Sequence, residues 1–161
     1  MAGLLIGTAI ISPAQASSPE IVWAASAAQA PEVARARDYM GDHVTSITWV
    51  SRTQATEHGE GAAAAWAQDN GAGVFVTTNL PAEYVAAVVV HELAHQRQFA
   101  AYGGVRGAVA HYGSTLAEER AAQCTAALSG FKDFEAYGVE TTADCTDGEL
   151  AEAHKLRASV R

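Results

Sequence analysis

The sequence predicts an α+β fold, in which a small twisted sheet, antiparallel or mixed, has its edge strand beside a central helix and a mostly helical C-terminal half follows. Two short runs rich in β-branched and aromatic residues, at residues 45–51 and 73–79, are typical of strands. A long apolar stretch at residues 82–102 has helical character, and helix caps and stops recur after it. With 161 residues, 49% of them apolar, the chain is large enough for one domain with a hydrophobic core.

The composition excludes several classes of protein. Only 17% of the residues are charged, and the formal net charge is −8. The chain therefore lacks the positive surface of a protein that binds nucleic acid or an anionic membrane, and we expect neither partner. Three Trp, five Tyr and four Phe argue against a disordered chain. We expect a monomer with no stable membrane insertion.

The first sixteen residues have the pattern of a secretory signal peptide. An uncharged apolar run at residues 1–11 is too short to span a bilayer, and Ala14-Gln15-Ala16 matches a small-x-small cleavage site. No Lys or Arg precedes the apolar run, which departs from the usual pattern. We expect a secreted protein whose mature part, residues 17–161, is a single domain.

Secretion also predicts the state of the two cysteines. An oxidising compartment favours a disulfide between Cys124 and Cys145, whereas a cytosolic chain would keep two thiols. The bridge would close a loop of about 21 residues and contribute about 3 kcal/mol in the chain-entropy description. The alternative is one buried and one exposed thiol.

The first half of the mature chain is expected to contain one helix and two strands. Residues 31–40 begin with Pro and end before Gly41, which is typical of a short helix. Residues 45–51 and 73–79 are the strands described above. The polar and Gly-rich stretch between them, residues 52–73, has neither a clear element nor recognisable chemistry.

The second half is expected to be helical. Three segments have helical patterns: residues 82–102, 116–128 and 148–160. The first is apolar nearly all round, which predicts a helix in the centre of the core. Ser114 or Thr115 is an expected N-cap of the second. A Gly-containing connection through His111 and Tyr112 joins the two.

A metal-binding motif lies within the first of these helices. His91-Glu92-Leu93-Ala94-His95 is an HExxH sequence, and its i,i+4 spacing places both imidazoles on one helix face. Glu92 lies about 100° round the helix from His91, where it can reach a metal-bound water without binding the metal. The pattern predicts a catalytic Zn²⁺ site, against the alternative of two structural histidines beside an ion-paired Glu.

A catalytic zinc site needs a third protein ligand, and we expect Glu119 in that role. It lies on the next predicted helix, which a helical hairpin could bring across to the ion. Glu118 points about 100° away and suits the helix N-terminus, where acids are favoured. His111 and Asp133 are the other candidates.

The motif and the helix Glu119-Arg-Ala-Ala-Gln123-Cys124 together resemble the gluzincin zinc metallopeptidases over residues 73–130. The family's second signature is Glu-xxx-Asp, often Glu-xx-Ala-Asp in its small members. The resemblance implies that His91, His95 and Glu119 are zinc ligands and that Glu92 is the general base. It also implies that the strand before the motif is the edge strand that binds a peptide substrate: Val74, Phe75, Val76, Thr77 and Thr78.

One position departs from the family pattern. Gln123 stands where the family usually has an Asp that accepts a hydrogen bond from a zinc-ligating His. A Gln side-chain oxygen accepts the same bond but lacks the charge that raises the basicity of the ligand. We therefore expect weaker zinc binding or lower activity than in a typical member.

The resemblance also implies a mechanism. Zinc lowers the pKa of its bound water and polarises the scissile carbonyl, while Glu92 takes the proton of the water and later passes a proton to the leaving amine. Gluzincins often add a Tyr or His that donates to the oxyanion, and the candidates for this role are Tyr112, Tyr137 and His154.

The sequence leads to a secreted zinc-dependent peptidase acting on a peptide or protein substrate. The alternative is a secreted zinc-binding protein with a degenerate peptidase site that binds a partner, which Gln123 favours and the intact Glu92 opposes. A third possibility is an exported structural domain whose histidines bind no metal.

Overall fold

The computed structural model describes residues 25–57, 63–69, 73–132 and 141–159. The elements in chain order are α1 (Ala30–Met40), β1 (Ile47–Val50), α2 (Arg52–Glu57), β2 (Ala65–Ala67), β3 (Val74–Thr77), α3 (Ala82–Tyr102), α4 (Val105–Tyr112), α5 (Thr115–Leu128), a 3₁₀ turn (Thr142–Asp144) and α6 (Asp147–Ala158). The expected α+β class is confirmed. The expected signal peptide, residues 1–16, and two site candidates, Asp133 and Tyr137, lie outside the described residues.

The three strands form a mixed sheet, and their order corrects one prediction. The order is β1-β3-β2, with β1 parallel and β2 antiparallel to β3. The expected edge strand, Val74, Phe75, Val76, Thr77 and Thr78, is therefore wrong: β3 is the central strand and Thr78 follows its end. The reason is β2, a short strand within the stretch that we left unassigned, which pairs with the other side of β3 through Trp66 and Phe75.

Two short helices were also not predicted, for different reasons. The N-terminus of α2 has a local signal, because Ser51 Oγ accepts from the backbone N–H of Gln54 at 3.1 Å and Gln54 Oε1 accepts from that of Ser51 at 2.8 Å. The N-terminus of α4 has none nearby in sequence. Its Val105 N–H donates to Asp69 Oδ1 at 2.6 Å, across a gap of 36 residues. The expected loop through His111 and Tyr112 is thus a helix.

Helix α3 lies at the centre of the core, as its all-round apolar pattern predicted. It packs against α1, α5, α4 and α6 and against strands β2 and β3. Its side chains from Val85 to Phe99 are buried except at Val88. The main fully buried side chains are Val74, Val76, Val85, Val89, Val90 and Leu93. A helix enclosed on this many sides holds its side chains in a fixed frame, which suits a metal site.

A buried arginine joins three helices. Arg97 on α3 is 3% exposed, and its guanidinium donates to the carbonyls of Met40 at the end of α1 and of Leu156 and Arg157 in α6. These carbonyls lie in the last turns of α1 and α6, where a backbone carbonyl has no hydrogen-bond donor within its own helix. Arg97 therefore caps two helices from the centre of the fold.

The predicted disulfide between Cys124 and Cys145 is confirmed. It links α5 to the segment just before α6. Arg120 on α5 adds an ion pair with Glu149 of α6, with a nitrogen–oxygen distance of 2.5 Å. Among the described residues, no helix has the length and hydrophobicity needed to cross a membrane.

Candidate metal centre

Three side chains from two helices converge as the sequence predicted. His91 and His95, one turn apart on α3, place their Nε2 atoms 3.0 Å apart. Glu119 on α5 places Oε2 3.3 Å from His91 Nε2 and 3.2 Å from His95 Nε2. A tetrahedral zinc ion with bonds of about 2.0–2.1 Å requires ligand atoms about 3.3 Å apart. The donor set and its spacing therefore fit a divalent metal such as zinc.

The centre lies at the boundary between core and solvent. His91 and His95 are buried, whereas the Glu119 side chain is 22% exposed. Burial by itself would raise the pKa of Glu119, but the hydrogen bonds and charges of the two imidazoles outweigh burial and lower its pKa. Glu119 is thus an ionised carboxylate that stands at the solvent boundary and could bind a metal ion.

Gln123 lies behind His91. Its Oε1 is 3.0 Å from His91 Nδ1, so that this nitrogen donates its proton and Nε2 presents its lone pair toward the centre. The predicted hydrogen bond from His91 to the uncharged oxygen of Gln123 is therefore present.

A carboxylate lies behind the other histidine. Glu118 is 3% exposed, and its Oε1 is 2.6 Å from His95 Nδ1; Gln98 Oε1 is 2.8 Å from the same nitrogen. Glu118 does occupy the first turn of α5, as expected, but its carboxylate orients His95. Burial alone would lower the pKa of His95, and its hydrogen bonds to Glu118 and Glu119 more than compensate, so the pKa is raised. This role of Glu118 is not evident from the sequence, because the pattern of the similar family places the orienting side chain at residue 123.

Glu92 is buried, with 7% exposure, beside the metal-binding face. Desolvation raises its pKa, against the opposing charges of His91 and His95. The backbone N–H of Ala67, on β2, lies near this carboxylate and works against the rise in its pKa. Glu92 is not one of the three clustered ligands. A buried carboxylate with a raised pKa beside a metal site has the properties of a general base.

Two of the candidate oxyanion donors, Tyr112 and His154, lie among the described residues. Tyr112 donates its hydroxyl proton to Glu152 Oε1 on α6 at 2.9 Å, and its role as an oxyanion donor stays a prediction. His154 is exposed on α6. His111, the alternative third ligand, is exposed and stacks on the Tyr102 ring with centroids 3.9 Å apart. Among the described residues the cluster contains His91, His95 and Glu119 alone.

Comparison with known proteins does not extend this description. No family model, no curated protein and no solved structure matches the chain.

Proposed function

We propose that this chain is a zinc-dependent peptidase of the gluzincin type. The observation that carries the proposal is the triangle of His91, His95 and Glu119 ligand atoms, with sides of 3.0, 3.2 and 3.3 Å, beside a buried Glu92 that does not belong to it. A purely structural zinc site has four protein ligands and needs no adjacent base. Three ligands plus an acid is the arrangement of a hydrolytic site.

The catalytic roles follow from the positions of the side chains. A zinc ion held by His91, His95 and Glu119 would polarise a scissile carbonyl and lower the pKa of a water molecule. Glu92 takes the proton of the attacking water and delivers a proton to the leaving amine. The nearby Ala67 N–H opposes the rise in the pKa of Glu92 and so favours the ionised carboxylate that takes the proton.

The substrate strand is β2 in this proposal, in place of residues 74–78. In the antiparallel pair, Gln68 N–H donates to Gly73 O at 3.0 Å and Thr77 N–H donates to Ala64 O at 2.9 Å. By the alternation of such ladders, the backbone groups of Ala65 and Ala67 point away from β3, toward the outer edge. An extended peptide can pair with that edge, next to Glu92.

A proline at the edge tests this assignment. Pro is tolerated where the lost N–H points away from the sheet, so Ala67→Pro should keep the fold and zinc while removing the N–H that favours ionised Glu92. We expect kcat to fall about tenfold, a small part of the roughly 10²–10⁴-fold that a general base contributes. Ala65→Pro is the matched control, which should raise KM and leave kcat near the parent value. Unchanged kinetics in both variants would exclude β2 as the substrate strand.

A second candidate is a zinc-binding module that binds a partner without hydrolysis. The neutral Gln123 behind His91 favours it, since a ligand without a charged partner binds zinc less tightly. The carboxylate of Glu118 behind His95 and the presence of Glu92 oppose it. We also propose export from the cytosol, supported by the disulfide and by the signal-like residues 1–16.

The deciding experiment is hydrolysis of a diverse peptide library by the zinc-loaded protein, with Glu92→Gln as the control. Cleavage by the parent and none by the variant, with equal zinc content in both, would support the peptidase. Equal cleavage by both would show that Glu92 is not the base. Absence of cleavage in both, with one zinc bound per chain, would favour the binding module.

A further inference from the structure

Helix α3 carries a second set of polar side chains, on a face other than that of the metal ligands. Glu92 and Gln96 are one turn apart, and Gln96 lies about 100° round the helix from His95. Gln96 is completely buried although its side chain is an amide. Burying an amide costs free energy unless it is hydrogen-bonded, and the hydrolytic mechanism does not use this one.

The Gln96 side chain contacts the end of strand β2. Its Nε2 donates to the backbone carbonyl of Gln68 at 2.9 Å, across a gap of 28 residues. A backbone carbonyl only accepts hydrogen bonds, so this contact sets the orientation of the amide. Gln68 directly follows Ala67, the last residue of β2, whose N–H lies near the Glu92 carboxylate. One face of α3 thus carries both the proposed general base and the side chain that holds the end of the proposed substrate strand.

Asp69, the next residue, connects the same end of β2 to α4. Its Oδ1 accepts from the N–H of Val105, the first residue of α4, at 2.6 Å. The two segments are in close contact, because a Cβ added at Gly104 would lie 2.5 Å from that oxygen. The backbone ladder holds β2 on β3, whereas Gln96 and Asp69 hold its end against the helices.

The attachment of β2 to α3 matters because different parts of the fold hold the peptide and the metal in the proposed function. A peptide paired with the outer edge of β2 takes its position from that strand. The ion takes its position from α3 and α5, which carry the ligands. A misplacement of about 1 Å between reacting groups costs up to about 100-fold in rate. A hydrogen bond between the strand and the metal-binding helix therefore fixes a distance on which the reaction depends.

We propose that Gln96 and Asp69 are positioning residues, which hold the substrate strand β2 at a fixed distance from the metal ligands on α3. This inference rests on the proposed function, because it takes β2 as the strand that binds the peptide. It gives a role to the amide buried one position after His95 and to the contact between the end of β2 and the start of α4.

A matched pair of buried glutamines tests the proposal. Gln98 is as deeply buried as Gln96, but its amide contacts His95 Nδ1 and the Glu118 carbonyl. Methionine keeps most of the side-chain volume and donates no hydrogen bond. On peptides that the parent cleaves, Gln96→Met should lower kcat about tenfold, the scale of a shift well below 1 Å, while KM and zinc affinity stay near the parent values. Gln98→Met should instead weaken zinc binding about tenfold.

Amide hydrogen exchange of the zinc-loaded protein measures the attachment of β2 without a substrate. The Gln68 N–H donates to the carbonyl of Gly73 at 3.0 Å, and it exchanges when this end of the strand opens. Exchange at Gln68 should be about fivefold faster in Gln96→Met, the scale of one net hydrogen bond, and like the parent in Gln98→Met. Equal acceleration in both variants would indicate a general loss of core packing and overturn the proposal.

Asp69 provides a second test at an exposed position, where a substitution leaves the core intact. Asp69→Ala removes the acceptor of the Val105 N–H. It should lower kcat and accelerate exchange at Gln68, by less than Gln96→Met does, because Gln96 still holds the strand. Asp69→Asn keeps an oxygen at Oδ1 and should behave like the parent. Equal kcat and equal exchange in the two Asp69 variants would overturn the role of this residue.

The outcomes distinguish this inference from the proposed function. Parent-like exchange at Gln68 and parent-like kcat in Gln96→Met would overturn the inference, even if the parent cleaves peptides. Faster exchange with an unchanged kcat would also overturn it, since the attachment would then not position the substrate. The expected difference in exchange between Gln96→Met and Gln98→Met, in a protein that binds zinc but cleaves no peptide, would support the attachment of β2 to α3 and overturn the peptidase.

Discussion

The two histidines of the metal centre are held by different surroundings. His91 has the neutral Gln123 at its Nδ1, whereas His95 has both a buried carboxylate, Glu118, and a buried amide, Gln98. A carboxylate behind a ligating imidazole raises its basicity more than an amide does. In the proposed zinc site we therefore expect His95 to be the stronger ligand, because Glu118 supplies behind it the negative charge that Gln123 lacks behind His91.

The largest expected effect on zinc affinity comes from removing the side chain behind each histidine in turn. Glu118→Ala should weaken zinc binding about 100-fold, and Gln123→Ala about tenfold, the two ends of the range for such partners. Chelator competition at neutral pH measures both affinities, and circular dichroism of the metal-free variants checks the fold. Equal losses would show that the charge of Glu118 contributes nothing beyond its hydrogen bond.

A smaller effect on zinc affinity is expected from a substitution that makes the surroundings of the two histidines more alike. Gln123→Glu places a carboxylate of the same length behind His91 and should tighten zinc binding about fivefold, since part of the gain is lost to repulsion from Glu118 and Glu119. Gln123→Met is the control, because it keeps the volume but cannot accept the imidazole proton. If neither Gln123→Glu nor Gln123→Met changes the zinc affinity, the hydrogen bond at His91 Nδ1 does not contribute to zinc binding.

In the metal-free protein, the charged groups around His95 should make the stability of the fold depend on pH. Its pKa is raised above the ordinary value of 6.5, so the protonated imidazole stabilises the metal-free fold below that pH, and the contribution is lost as the pH rises through the raised pKa. Zinc needs the neutral imidazole and stabilises more as the pH rises. Calorimetry should show the unfolding temperature of the metal-free protein falling by a few degrees between pH 6 and 9. The same fall in Glu118→Gln would contradict this explanation.

The smallest effect concerns the outer face of α5. Arg120 pairs there with Glu149, whose pKa the Arg120 guanidinium lowers to about 2. A lowered pKa stabilises the fold above the ordinary value of 4.5, and the contribution is lost as the pH falls toward 2. Because both side chains are partly exposed, Arg120→Ala should cost about 0.5 kcal/mol in urea unfolding at pH 7 and almost nothing at pH 2. Zinc affinity should not change, in contrast to Glu118→Ala on the same helix.

Local sequence patterns were sufficient for the helices that carry the metal ligands. The expected helix at residues 82–102 matches α3 at both ends, and a Ser114 N-cap precedes α5 as expected. The i,i+4 spacing of His91 and His95 places them on one face in any α-helix. These features depend on residues within a few positions of one another, which is why the sequence alone predicts them.

The tertiary structure decided which residues surround those ligands. Pairing of β2 with β3 made the expected edge strand a central one, and the first residue of α4, Val105, donates its N–H to Asp69, which lies 36 residues earlier in the chain. Glu118 and Glu119 are adjacent in sequence, yet Glu118 contacts His95 Nδ1 whereas Glu119 contacts His95 Nε2, because the packing of α5 against α3 sets which carboxylate reaches which nitrogen. Contacts between distant segments depend on packing of the whole core, and no local pattern encodes them.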